Sequence, residues 1–414
     1  MIMKKPNLLI LGASGGLAQV FLQYLVHHRD FFGKLILLSG KNRIKNNKHL
    51  EHKKLDYIYV EKRIDPYNEK EYHDILRKYN IDIVLDLTVV DSIPLLEATN
   101  NFGASYVNTS LNADNKAVAE LVFDIYPRKE KLNNAVHILC AGMNPGIVNM
   151  WVRYGISKFG IPKEIIHFEY DTSKIQTPFK SGKLTITWSP HEFLVENVRD
   201  PSGIALGRKK IKPIRPNAIS QLQDMKPILS PIIKLNKYPK GFVVLHEENL
   251  TLSYKYNIPS KFIYSIHEEV MDSMIKTYKK WGKISEDDFT VIKNTEVPLK
   301  GADSIGVILN YGNKKVYYFN SINNTSLIRT NATYFQVVIG IFAALFTILF
   351  NKNKLKNGVY FTEDLFNTNY KDYVFDNMRV QKFVFKNKKG KLKIGSYNPT
   401  INPTDNSKFN HIHI

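Results

Sequence analysis

The chain has 414 residues, 43% hydrophobic and 23% charged, which fits a globular protein long enough for two domains. Its formal charge is +20, but the lysines are scattered, often beside asparagine, as in Lys-Asn-Arg-Ile-Lys-Asn-Asn-Lys at 41–48. With no RNA-binding, zinc-finger or helix-turn-helix signature among them, nucleic acid is not an expected partner. A single cysteine, Cys140, excludes an internal disulfide and suits a reducing cytoplasm.

The opening Met-Ile-Met-Lys-Lys-Pro-Asn carries no cleavage site, and a cytoplasmic location is expected. Residues 7–12 form an apolar run ending in glycine, followed by a helical pattern through Val26. Short apolar runs recur at Lys34–Leu38, Tyr57–Val60, Asp82–Leu87 and Tyr106–Val107, separated by helical patterns at Glu69–Lys78 and Ile93–Asn101. Val136–Cys140 is the last strand of this half, with Cys140 read as a buried bystander. This alternation predicts an α/β, Rossmann-type doubly wound parallel sheet.

After about residue 150 the strands lengthen and become more polar, at Ile165–Tyr170, Lys183–Trp188 and Phe242–Tyr256, with proline-rich connections around 211–240. A second α+β domain with a largely antiparallel sheet is expected. The boundaries predicted are 1–145 for the first domain, completed by a returning helix at about 331–350, and 146–330 for the second. Residues 351–414 then form a C-terminal segment, irregular from about 386. Tyr334–Phe350 is apolar but short for a bilayer, and its small residues suit a buried helix. A membrane anchor is the alternative, and no membrane partner is expected. His411 and His413 lack companion ligands, and no metal site is expected.

Gly12-Ala-Ser-Gly15-Gly16-Leu-Ala18 lies between the first strand and helix, where glycines allow a tight turn and close approach to a pyrophosphate. The second strand ends Leu38-Ser39-Gly40-Lys41-Asn42-Arg43, without the carboxylate that NAD proteins commonly place there. Lys41 and Arg43 could instead pair with a 2′-phosphate, or be solvated loop charges. The set assigned to the dinucleotide is Gly12, Ser14, Gly15, Gly16, Leu17, Ser39, Lys41, Thr88, Thr109 and Asn144; these charges lean slightly to NADP, and the resemblance described next leans to NAD.

Five segments carry a resemblance. They are Ala-Gly-Met-Asn-Pro-Gly-Ile-Val (141–148), Thr-Trp-Ser (187–189), Gly-Phe-Val-Val-Leu-His-Glu-Glu (241–248), Asp-Ser-Ile-Gly-Val-Ile-Leu-Asn-Tyr-Gly (303–312) and Asn-Ala-Thr-Tyr-Phe-Gln-Val (331–337). In this order they resemble bacterial homospermidine synthase, within a saccharopine-reductase-like superfamily. The resemblance implies NAD as an internal hydride store. Putrescine is oxidised to an imine, a second putrescine displaces ammonia, and the Schiff base is reduced to homospermidine. It also implies a polyamine substrate; a homodimer is the expected assembly.

Such dications need carboxylates and a π surface. The resemblance makes Trp188 the stacking indole and Glu169 and Glu196 the pocket carboxylates. His246 and Glu248, read at strand spacing i and i+2, become an amine-binding, proton-shuttling pair, with His246 titrating near neutrality. Asn144 would hydrogen-bond substrate or nicotinamide; Asp303 either anchors an amine or caps a helix. Asn112 stands where the family has an acidic residue, with Asp91 a possible substitute or a turn residue. The alternative is a saccharopine or carboxynorspermidine reductase type of enzyme using NADPH, with Arg208 and Lys209 as an anion clamp.

Overall fold

The computed structural model describes residues 4–175, 184–291, 299–351, 354–388 and 391–398; His411 and His413 lie outside them. The chain divides into two compact units, one running through Met150 and resuming at Tyr334–Asn377, the other covering Trp151–Thr333 and resuming at Met378.

In the first unit, six apolar runs form β1 (Leu8–Leu11), β2 (Leu35–Ser39), β3 (Tyr57–Glu61), β4 (Ile83–Asp86), β5 (Ser105–Asn108) and β6 (Val136–Leu139). A seventh strand, Gly358–Phe361, joins at the β6 edge, and every pairing is parallel. The order is 358–361, β6, β5, β4, β1, β2, β3, so the winding reverses between β1 and β4. In an open parallel sheet that reversal leaves a crevice at the strands' carboxyl ends, where ligands bind. β1 is buried throughout, as a strand covered on both faces must be. The expected helices appear as Glu69–Tyr79 and Ser92–Phe102.

The helix Ala332–Phe350 is long and apolar enough to cross a membrane, yet most of its apolar stretch is buried inside the protein. Within the first unit Phe342 meets Phe21 at 4.9 Å between ring centroids. Gly340 lies against the Gly142 carbonyl, where a Cβ would stand 2.2 Å from the oxygen. The stretch is therefore a core helix of this unit. Residues 351–377 also belong to the first unit rather than to a separate C-terminal segment.

The second unit is built on a mixed sheet. Its path runs Ile211–Ile214, Ser202–Ala205, Ser260–Ile266, Glu164–Asp171, Ala302–Asn310, Lys314–Asn323, Gln381–Lys388 and Lys391–Asn398, with Lys240–Val244 also paired to 260–266. The 260–266 and 164–171 strands are parallel, the remaining pairs of this sheet antiparallel. Alternation sorts its faces. Ile166, Phe168, Ile263 and Ile308 pack into one apolar cluster, while His167, Glu169 and Asp171 point the other way.

Two expectations require correction. Phe242–Tyr256 is not one strand but the strand Lys240–Val244 followed by the helix Glu247–Tyr256. Asn249 enforces the switch, accepting from the His246 amide and donating to the Val244 carbonyl. Of the tail expected to be irregular from about 386, the described residues are strands, 381–388 pairing antiparallel with 391–398, and the residues from 399 on lie outside the described ones. Lys183, at the start of the predicted strand Lys183–Trp188, lies outside the described residues; the strand itself is Leu184–Ile186.

The packing of Gly340 on Gly142 predicts that Gly340→Ala will cost about 1–3 kcal/mol, as overpacking of a close-packed site does. Thermal unfolding should show a midpoint several degrees below the parent; an unchanged midpoint would mean that the helix can shift to accept the methyl group.

Candidate functional site

At the carboxyl end of β1, Gly12 adopts φ +72°, and a Cβ there would lie 2.5 Å from the Leu87 carbonyl oxygen. Only glycine is unstrained in that place. The Gly15 amide donates back to the Gly12 carbonyl, closing the turn, and Gly15 and Gly16 are exposed at the start of the ten-residue helix Gly16–Leu25. That helix has no acidic residue in its first turn, so its amides and positive dipole end suit a pyrophosphate. Leu17 follows in the first turn and Ala18 is buried, as close packing requires. The residues present thus fit a dinucleotide.

Ser14 and Ser39 are hydrogen-bonded to each other, and the Ser14 hydroxyl donates to the Lys41 carbonyl. Thr88 folds onto buried Asp86 through its amide and hydroxyl. Burial raises the Asp86 carboxyl, partly offset by hydrogen bonds from Thr88 and Tyr106. Thr109 lies beside Gly142, at the base of the loop that carries Asn144. That loop is clamped from below. The Gly146 amide donates to Asn149, whose side chain donates to buried Glu363, while Thr362 donates to the Gly146 carbonyl. Asp91 is occupied by the Tyr67 hydroxyl and the Asp114 amide, which is the turn role; Asn112 donates to the Thr88 carbonyl.

The second unit holds a buried acidic cluster at the start of helix Glu247–Tyr256. His246 Nδ1 lies 2.5 Å from Glu248 Oε2 and 3.3 Å from Glu247 Oε2, and its Nε2 lies 3.5 Å from Glu196 Oε1. The helix N-terminus, rather than the expected strand alternation, brings His246 and Glu248 together. Burial disfavours a charged His246 and is the largest single effect. Glu248, Glu247 and Glu196 together outweigh it and hold the imidazole well above its usual range. The surrounding carboxylates thus favour the charged imidazole, whereas the sequence reading took His246 at its ordinary pKa. Glu248 is correspondingly held below the usual range, its own burial overcome by His246.

Glu192 was not singled out from the sequence. Burial first, and then the negative charge of Glu196, push its carboxyl up to about 7. Pro190-His191-Glu192-Phe193 forms a short helix running into the turn that carries Glu196, so Glu192 and Glu196 are four residues apart on neighbouring turns.

A second group lies on the sheet face. Glu169 is the register partner of Tyr264 and Ile305, and Asp171 of Ile266 and Asp303. Glu169, Asp171 and Asp303 are all buried. Tyr264, also missed in the sequence, is held far above its usual range by burial and by Glu169, Asp171 and Asp303. Asp303 lies inside a strand, so it caps no helix of its own, and it accepts from Thr333. Trp188 follows the Leu184–Ile186 strand; its indole N–H donates to Tyr264 at 3.3 Å and its ring meets Phe193 edge-on. It is half-buried, part of the wall of an aromatic cluster.

His167 links the two groups. It shares the sheet face with Glu169 and pairs in register with Phe262, whose ring meets His246 at 5.3 Å. Its two ring nitrogens are buried without hydrogen-bond partners among the described residues. Burial keeps it neutral, lowering it to about 4.

The ligand atoms of His246, Glu247 and Glu248 lie within 4.8 Å of one another, close enough for a metal ion, although none was expected. A proton on His246 already places one positive charge there. Arg208 and Lys209 occupy an exposed turn between two strands.

Residues 8–136 match the family described as the saccharopine dehydrogenase NADP binding domain. No curated protein matches the chain. Among solved structures, the homospermidine synthase of Legionella pneumophila in complex with NAD aligns at 16% identity, over 91% of this chain and 89% of its own, with a TM-score of 0.72. The amine dehydrogenase of Mycobacterium smegmatis aligns at 10% identity over 87% and 96%, with a TM-score of 0.40. The dTDP-glucose 4,6-dehydratase of Bacillus anthracis, in complex with NAD, aligns at 17% over 25% and 37%, with a TM-score of 0.21. The first of these shares its α/β fold with nearly the whole chain.

A carboxyl raised from 4.5 to about 7 by folding contributes stability that is complete below pH 4.5 and lost as pH rises through 7. Glu192→Gln removes that loss. Its unfolding midpoint, relative to the parent, should climb between about pH 5 and about pH 8. A difference that stays flat across this range would show that Glu192 titrates as an ordinary glutamate.

Proposed function

We propose that this protein is an enzyme of reversible hydride transfer on primary amines, of the homospermidine synthase type. Two putrescines give homospermidine and ammonia with no net oxidation. The observation that carries this reading is the interior of the second unit. It buries Glu169, Asp171, Glu247, Glu248 and Asp303, while no lysine or arginine is buried among the described residues of a chain with a net charge of +20. Buried negative charge beside a surface of cations suits a small, flexible dication.

The bound dinucleotide supplies a temporary hydride acceptor; the rest falls to the chain. Glu196 and Glu248 hold the ammonium ends, and Glu169 and Asp303 offer the sheet-face carboxylates for the far end. The amine that is oxidised must first become neutral. Glu192, half ionised near pH 7, is matched to take that proton. His246, held as an imidazolium, is matched to give a proton to the departing ammonia. Trp188 offers a π face to the cationic chain. The loop that carries Asn144 is fixed at Gly146 by the Asn149–Glu363 clamp. This reading carries with it NAD or NADP as cofactor and a cytoplasmic homodimer without nucleic-acid or membrane partners.

Incubation of the purified chain with putrescine and a catalytic amount of dinucleotide should release homospermidine and ammonia in equal amounts, with no reduced dinucleotide accumulating. A requirement for stoichiometric NADPH and a carbonyl co-substrate would place the chain with the reductases instead. Trp188→Ala should lower kcat/KM for putrescine about 30-fold, the worth of a desolvated cation–π contact, and leave dinucleotide affinity unchanged. Parallel loss of dinucleotide affinity would make Trp188 a packing residue.

A further inference from the structure

Trp188 is held in place by a residue to which the proposed chemistry gives no part. The indole follows the strand Leu184–Ile186 and precedes the short helix Pro190–Leu194, so its backbone belongs to a connection rather than to a sheet. A half-buried ring in such a place turns about its side-chain torsions unless a neighbour takes hold of it. Tyr264 takes hold. The Trp188 N–H donates to the Tyr264 hydroxyl at 3.3 Å, and the two rings meet at 74° with centroids 6.3 Å apart. An indole N–H lies in the plane of its ring, so this bond sets the ring's direction and leaves the π system to other contacts.

Tyr264 is itself a fixed post. It stands inside the strand Ser260–Ile266, in register with Phe242 on one side and Glu169 on the other, and is 3% exposed. Phe193 meets its ring at 6.0 Å and Phe262 at 6.3 Å. Burial, and then Glu169, Asp171 and Asp303, keep the phenol protonated, so it remains a neutral hydroxyl with lone pairs for the indole N–H. Tyr264 thus grips Trp188 while sharing a sheet face with Glu169 and Asp303, the carboxylates proposed for the far end of the diamine.

We propose that Tyr264 is a positioning residue for the amine substrate: its hydroxyl aims the Trp188 indole, and it acts on the substrate through that indole alone. This deepens the proposed function and rests on it. A cation is attracted over the face of an aromatic ring, whereas the ring's edge carries the positive end of the quadrupole and repels it. An indole left to rotate would turn that edge to the diamine for part of the time. The bond to Tyr264 ties the N–H edge to the protein instead.

Tyr264→Phe keeps the ring and removes the acceptor. Calorimetric titration of the full chain with putrescine should show the dissociation constant rise about fivefold, the worth of one hydrogen bond. In turnover the loss should fall on KM rather than on kcat. Trp188→Phe keeps a π face without an N–H, and in that background Tyr264→Phe should change putrescine affinity by less than about twofold. In the NMR spectrum, the indole N–H signal that Trp188→Phe deletes should shift in Tyr264→Phe. An equal loss of affinity in both backgrounds would make Tyr264 a direct partner of the substrate, and an unmoved signal would remove the tether; either result overturns the proposal. A parent chain that binds no putrescine, its Trp188 signal still moved by Tyr264→Phe, overturns the amine reading as well and leaves the bond a structural one.

Discussion

Charge taken out of water must be answered by opposite charge or by a proton, and the second unit depends on how it meets this demand. Five carboxylates are buried there, and the buried bases beside them are histidines. His246 answers by holding its second proton, with Glu248 and Glu247 at Nδ1 and Glu196 at Nε2. Glu192 answers by keeping its own proton up to about pH 7. His167, facing the same cluster, answers by staying neutral. One crowded set of carboxylates thus sets three neighbours to three different proton affinities, which is what the proposed amine chemistry would use.

The first unit solves a different problem, the close approach of backbone to backbone. Gly12 turns beneath the Leu87 carbonyl, and Gly340 meets Gly142 with no room for a methyl group. The loop after β6 is then fixed from its far side by Thr362 and Glu363. The segment Gly358–Phe361 that leads into them extends the sheet by one strand, so a stretch late in the chain completes the domain begun by its start.

Much of the fold was legible because its signals are local. The apolar runs of β1, β2 and β4 and the glycines between strand and helix depend on near neighbours in sequence. The reading failed where a polar cap overrode an apolar pattern, as when Asn249 ended the strand at Val244 and began a helix. Part of the candidate site was equally legible: Trp188, Glu169, Glu196, His246 and Glu248 stood out through a family resemblance. Their setting did not. Glu192 owes its significance to burial beside Glu196, Tyr264 to its register against Glu169, and Glu363 to a contact 214 residues away. The protonation of His246 was read from its ordinary pKa, which the surrounding carboxylates overrule. No single-residue property carries such information, because each effect belongs to a pair or a cluster distant in sequence.

The central claim is that the acidic interior of the second unit receives a dication, and calorimetric titration of the intact chain with putrescine tests it most directly, with 1,4-butanediol as the uncharged match in length. The account predicts saturable binding of the diamine that tightens as pH rises through about 7, where Glu192 ionises, and none for the diol. Equal heats for the two ligands, or diamine binding that weakens over the same range, would contradict it.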